Sequence, residues 1–120
     1  MKSFSELEAW KKAHGLTLRV YEATKGFPQE ERFGMISQLR RGSSSIPANI
    51  AEGFGRRTTK DFLRHLDIAG GSLEETRYFL RLAKDLKYLS DESYEKFVPA
   101  CDEVGRLLGG LMQALRKRIS

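Results

Sequence analysis

SQLRRGSSSIPANIAEGFGRR, from Ser37 to Arg57, decides the fold. Three serines precede a proline in the middle of an otherwise helical pattern, and an arginine pair stands at each end. Phe33, Ile36, Leu39, Ser43, Ile46 and Ile50 recur at steps of three and four, in phase across Pro47. That continuity predicts one helix kinked at Pro47, with no loop between two helices. Proline cannot donate to the carbonyl of Ser43, a loss of ~3 kcal/mol in an ordinary helix interior. The serine hydroxyls of the run are the expected replacement donors.

The same periodicity extends outward in both directions. Upstream, Leu7, Trp10, His14, Thr17, Tyr21 and Thr24 line a first helix, opened by Ser5 as N-cap and closed by Gly26-Phe27-Pro28. The second helix begins near Pro28 or Gln29, with Glu30 and Glu31 in its first turn. Downstream, Thr58 or Thr59 caps a third helix striped by Phe62, Leu66, Ala69, Leu73, Thr76, Leu80 and Ala83. A second row on it (Ile68, Ser72, Phe79, Leu82, Leu86) makes an apolar arc wider than one neighbouring helix pair covers. Ser90 or Asp91 opens a fourth helix, along Tyr94, Phe97, Val98, Cys101, Val104, Leu108, Leu111, Met112, Leu115 and Ile119, with Pro99 bending or delaying its start. No segment reads as a strand. The expectation is an all-α, antiparallel up-down-up-down four-helix bundle, one domain over residues 1–120.

Composition narrows the function. No run is apolar enough to span a membrane, and the N-terminus lacks the apolar stretch of a signal peptide. The single cysteine, Cys101, forms no internal disulfide and points to a reducing, cytoplasmic setting. Net charge is +5, and residues 1–60 carry all of the excess, with 11 Lys/Arg against 6 Asp/Glu. Arg40, Arg41, Arg56, Arg57 and Lys60 are the candidates for contacting phosphates, and Arg116, Lys117 and Arg118 form a second basic patch.

Catalytic readings lack support. The serines follow no strand, show no nucleophile elbow and have no histidine near them in sequence. His14 and His65 are the only histidines and neither stands in a Glu-x-x-His pair, so no metal or cofactor is expected. The glycines of GFGRR lack the strand and the Gly-Lys-Ser/Thr of a phosphate loop. Cys101 reads as a small buried apolar residue.

Opposite the stripe of the second helix, Gly34, Gln38, Arg41, Ser45, Asn49 and Glu52 share one side, continued by Arg56. Two readings stand: a mildly polar solvated face, or a face buried between subunits. The wide arc of the third helix favours the second.

Three blocks, FSELEAWKKAHGL, SQLRRGSSSIPANIAEGFGRR and FLRHLDIAGGSLEETRYFLRLAKDLKYL, resemble the signatures of a bacterial four-helix-bundle family. Its members include proteins encoded by intervening sequences in 23S ribosomal RNA genes, and the accessory variability determinant of diversity-generating retroelements is similar. The resemblance implies a ring of five subunits without enzymatic activity; in the retroelement branch a basic ring binds nucleic acid and a reverse transcriptase. Arg40, Arg41, Asn49, Glu52 and Arg56 fall on family-pattern positions. Gly42, Ser43 and Ser44 depart from an alanine-rich turn, and Pro99 lies outside the pattern. The combined expectation is a non-catalytic homo-oligomer, pentameric by resemblance, that binds nucleic acid, RNA in preference, through clustered arginines. The alternative is a scaffold for a protein such as a reverse transcriptase, without direct contact to nucleic acid.

Overall fold

The computed structural model describes residues 2–119. Four helices, α1 (Glu8–Thr24), α2 (Met35–Phe54), α3 (Thr59–Asp85) and α4 (Asp91–Ile119), are joined by short connections, with 3-10 turns at Phe4–Glu6 and Gln29–Glu31. Each helix packs against the next and α4 returns to α1, which closes a square bundle of 47 × 24 × 21 Å. Cross-helix pairs fix the antiparallel order: Thr17 with Ser43, Ser45 with Ser72, Arg77 with Asp102 and Lys12 with Glu103.

The core holds most of the stripes of α2, α3 and α4, among them Leu39, Ile46, Ile50, Leu66, Leu73, Leu80, Val104 and Leu108. On α1 it holds Thr17 and Thr24 of the expected stripe together with Ala9, Ala13, Leu16 and Val20, which that stripe left out, while His14 and Tyr21 are exposed. Helix ends depart from the sequence expectation in detail. Ser3, not Ser5, accepts the capping bond, and it caps the 3-10 turn before α1. α2 starts at Met35, so Phe33 falls outside its stripe and is 89% exposed. Thr58 caps α3 through Asp61 N–H, and Ser90 caps α4 through Ser93 N–H. α3 closes in a Schellman turn, Tyr88 N–H to Ala83 O and Lys87 N–H to Lys84 O, with Lys87 at φ 66° where glycine is usual.

α2 runs unbroken through Pro47. The carbonyl that proline orphans, Ser43 O, accepts a bond from the Thr17 hydroxyl of α1 at 2.9 Å, in the buried interior. The expected serine rescue does not occur at this carbonyl: Ser43 and Ser44 reach back to Arg40 O and Arg41 O instead. A hydroxyl on α2 itself points along its own backbone, whereas Thr17 approaches from across the seam. α4 likewise continues through Pro99, which neither delays nor interrupts it.

The α2/α3 seam is the closest in the bundle because its contacts are small. A Cβ on Gly53 would lie 2.8 Å from His65 Cβ and from Phe62 Cδ1, and one on Gly42 would lie 3.2 Å from Thr76 Oγ1. Only hydrogen fits at these two positions without movement.

Candidate nucleic-acid interface

The bundle redistributes charge that the linear sequence scatters. α2 ends at Phe54 and Thr58 caps α3, so Arg56, Arg57 and Lys60 occupy a short turn at one end. The last turn of α4, with Arg116, Lys117 and Arg118, reaches the same end: Arg118 lines a cleft of about 290 Å³ with Leu7, Phe54, Phe62, Leu111 and Leu115. Residues 2–12, 52–64 and 113–119, which meet here, hold ten Lys/Arg against four Asp/Glu. Residues 19–36 and 78–96, at the far end, hold seven of each. The whole positive excess therefore sits on one end of the rod. Arg56, Arg57 and Lys60 thus share one end of the rod with Arg116, Lys117 and Arg118, whereas Arg40 and Arg41 lie along α2.

The five arginine and lysine candidates separate on inspection. Arg57 and Lys60 are exposed, with no ion pair among the described residues. Arg56 donates from Nη2 to Glu52 Oε1 at 2.9 Å and from Nε to His65 Nε2 at 3.2 Å. Arg40 is committed within the chain: its Nε donates to Thr24 Oγ1 at 2.9 Å, its Nη2 to Tyr21 O at 3.3 Å, and its guanidinium lies 4.7 Å from the Tyr21 ring centre. Arg40 thus secures the C-terminal turn of α1, where a cation also suits the helix dipole. Arg41 is exposed on the middle of α2, ~22 Å along the helix from Arg56 at 1.5 Å per residue. Arg64, which the sequence reading did not single out, joins the basic end from the first turns of α3, 3.8 Å from Asp61.

The residues read as a subunit face also divide. Gly34, Gln38 and Arg41 are exposed. Ser45 and Asn49 are half-buried against α3 within the chain, and Glu52 is exposed beside Arg56. A directed hydrogen-bond chain links them. Arg56 Nε can only donate, so His65 Nε2 accepts and Nδ1 carries the proton to Asn49 Oδ1 at 3.2 Å. Asn49 Nδ2 then donates to Ser45 O and Ser45 Oγ, and Ser45 Oγ meets Ser72 Oγ at 2.9 Å. The buried His65 is a satisfied seam residue that holds Arg56 in place. Nothing in the spacing of the sequence announced it, because its partners come from another helix.

The other chemistry-bearing residues are accounted for structurally. His14, exposed at the rim, stacks on Trp10 with ring centres 4.8 Å apart. Burial pushes the Cys101 thiol up to about 11, against the pull of nearby Arg77. Among the described residues no cluster of His, Cys, Asp and Glu is arranged to hold a metal ion, and no helix is long and apolar enough to cross a membrane.

These features coincide with a known family pattern, for the family model of the 23S rRNA-intervening sequence protein matches residues 5–110. The chain belongs to that family. Among solved structures, a Bacteroides thetaiotaomicron protein of unknown function from the S23 ribosomal protein family superposes with a TM-score of 0.81 at 29% identity, covering 88% of this chain and 95% of the other. No curated protein matches. Within the matched residues, Ser37–Arg57 runs along α2 and into the turn that starts the basic end.

Proposed function

We propose that this intervening-sequence protein is a non-catalytic homo-oligomer that binds nucleic acid, RNA in preference, through the basic end of its bundle. One observation carries the reading: ten basic residues against four acidic at one end, and a balanced far end. Such a surface neutralises phosphates and reads little base sequence. Arg57, Lys60, Arg116 and Arg118 are the contact residues, with Arg56 held in register by Glu52 and His65. Arg40 is removed from the contact set because its guanidinium is engaged within the chain. Repetition of the end in an oligomer, of five subunits on the family resemblance, multiplies a modest patch into a large positive surface. The family name ties its members to 23S rRNA, which makes a structured RNA the first ligand to try.

The test is fluorescence anisotropy with a structured RNA at two salt concentrations. Binding is expected to weaken steeply with salt, with log K falling by about 0.7–0.9 per phosphate neutralised for each tenfold rise in salt. Paired reversal of Arg57 and Lys60 to Glu should weaken binding at least tenfold, whereas reversal of Lys84 and Lys87 at the far end should not. Negligible binding at low salt would overturn the reading and leave the scaffold alternative, with a protein partner co-purifying free of nucleic acid.

A further inference from the structure

The basic end carries a feature that phosphate binding does not require. Its cleft of about 290 Å³ is walled by Leu7, Phe54, Phe62, Leu111 and Leu115, and Arg118 supplies the one polar side chain of the lining. Leu7, Phe54, Phe62 and Leu111 are half-buried, so part of each faces water. Ile119, one turn beyond Leu115 on α4, is 52% exposed. Scattered apolar residues at a surface need no explanation; an apolar hollow on the most charged end of the molecule does.

The two rings are placed for a flat ligand. Phe54 is the last residue of α2 and Phe62 stands in the first turn of α3. Their ring centres lie 6.2 Å apart with the planes at 88°, so a planar group laid on one ring meets the edge of the other. A Cβ on Gly53 would lie 2.8 Å from Phe62 Cδ1; the glycine lets that ring close on α2 and fixes one wall. A cavity of roughly 150 Å³ already takes a benzene ring, so the cleft has room for a nucleobase. Charge stands close by in the chain: Arg57 follows Phe54 by three residues and Lys60 precedes Phe62 by two. Both are exposed and have no ion pair among the described residues.

A ligand that suits this end therefore joins a planar apolar group to negative charge on either side of it. An unpaired nucleotide has that form, whereas a base held in a duplex is stacked and out of reach. We propose that the cleft takes one unpaired base of the bound RNA, laid on Phe54 or Phe62, while Arg57, Lys60 and Arg118 hold the neighbouring phosphates. The inference rests on the RNA binding stated above and names the class of RNA: loops, bulges and single-stranded ends in preference to uninterrupted duplex. Since only Arg118 is polar among the lining side chains, the contact is stacking and tolerates any base.

A stem-loop and an uninterrupted duplex with the same number of phosphates test it by anisotropy. The stem-loop should bind about tenfold more tightly. Replacing both rings, Phe54→Leu with Phe62→Leu, keeps the cleft apolar and should remove that preference without changing the salt dependence, because no charge is lost. Tyr78→Leu, on an exposed face of α3 outside the cleft, should leave the preference as it is. Circular dichroism checks the helicity of the variants. A readout on the unmodified chain needs no variant: iodouridine in the loop should photo-cross-link to Phe54 or Phe62, located by mass spectrometry. Equal affinity for the two RNAs, a preference that survives the paired replacement, or a cross-link confined to other residues would each overturn the cleft assignment and leave the basic end standing. Negligible binding of both RNAs at low salt would overturn this inference together with the proposed function.

Discussion

Pro47 and Pro99 stand in the middle of α2 and in the early turns of α4, and the two helices absorb them by different means. Pro47 is buried, so the carbonyl it orphans must find a donor inside the protein, and Thr17 supplies it from the neighbouring helix. Pro99 and Glu95, the residue whose carbonyl it cannot serve, are both exposed, where water meets the need. A helix defect is thus local at the surface and becomes a tertiary contact in the core. The α2 arrangement ties α1 to the helix beside Pro47, at the point where a groove is formed between α1 and α2.

The sharpest way to break this comparison is Thr17→Val. It leaves Ser43 O buried without a donor and should cost about 1–3 kcal/mol in urea unfolding. Adding Pro47→Ala should recover most of that loss, because residue 47 regains an N–H within the helix; failure to recover would mean that Thr17 acts through packing. Gly53→Ala, at the tight α2/α3 seam, should cost on the order of 1–2 kcal/mol, because the new methyl meets His65 and Phe62 at 2.8 Å. The same exchange at Gly110 of α4, where a Cβ meets nothing within 4 Å, should stabilise by about 0.5–1 kcal/mol. Pro99→Ala should raise stability by about 1 kcal/mol, less than the ~3 kcal/mol of a buried helix interior, since water already serves the carbonyl. Lys87→Gly, which relieves the left-handed backbone at the end of α3, should add roughly 0.5–1 kcal/mol.

Cys101 offers a check on the core that does not depend on stability. Its thiol stands at about 11 in the folded chain against an ordinary value of 9.0, because burial disfavours the thiolate. A rise from 9.0 to about 11 lowers the thiolate fraction at pH 8 about 100-fold. Reaction with a disulfide reagent should therefore be at least that much slower in the native protein than in urea.

The helices and much of the core were legible because each stripe repeats at the helical period, and a stripe of six or more residues leaves little freedom in what it faces; on α1, where small and polar residues blur the stripe, Leu16 and Val20 of the core were missed. The boundaries were less legible. Phe33 sat in phase with the α2 stripe but lies before the helix begins, and Lys87 occupies a turn position for which sequence favours glycine. At the basic end, Arg57 and Lys60 could be picked out from their spacing; Arg40 could not be excluded, because its partners Thr24 and Tyr21 belong to α1. The role of His65 was invisible for the same reason.

By itself the amino-acid sequence determined four amphipathic helices, a helix that persists through Pro47, and a surplus of positive charge. These are properties of neighbours in the chain, fixed by side-chain periodicity and the short reach of backbone hydrogen bonds. Tertiary structure alone decided which carbonyl Thr17 would serve, which arginines would be tied down, and that residues 56–60 and 116–118 would share one end. Such pairings depend on antiparallel packing that brings distant segments together, and on the few ångströms between small residues at a seam.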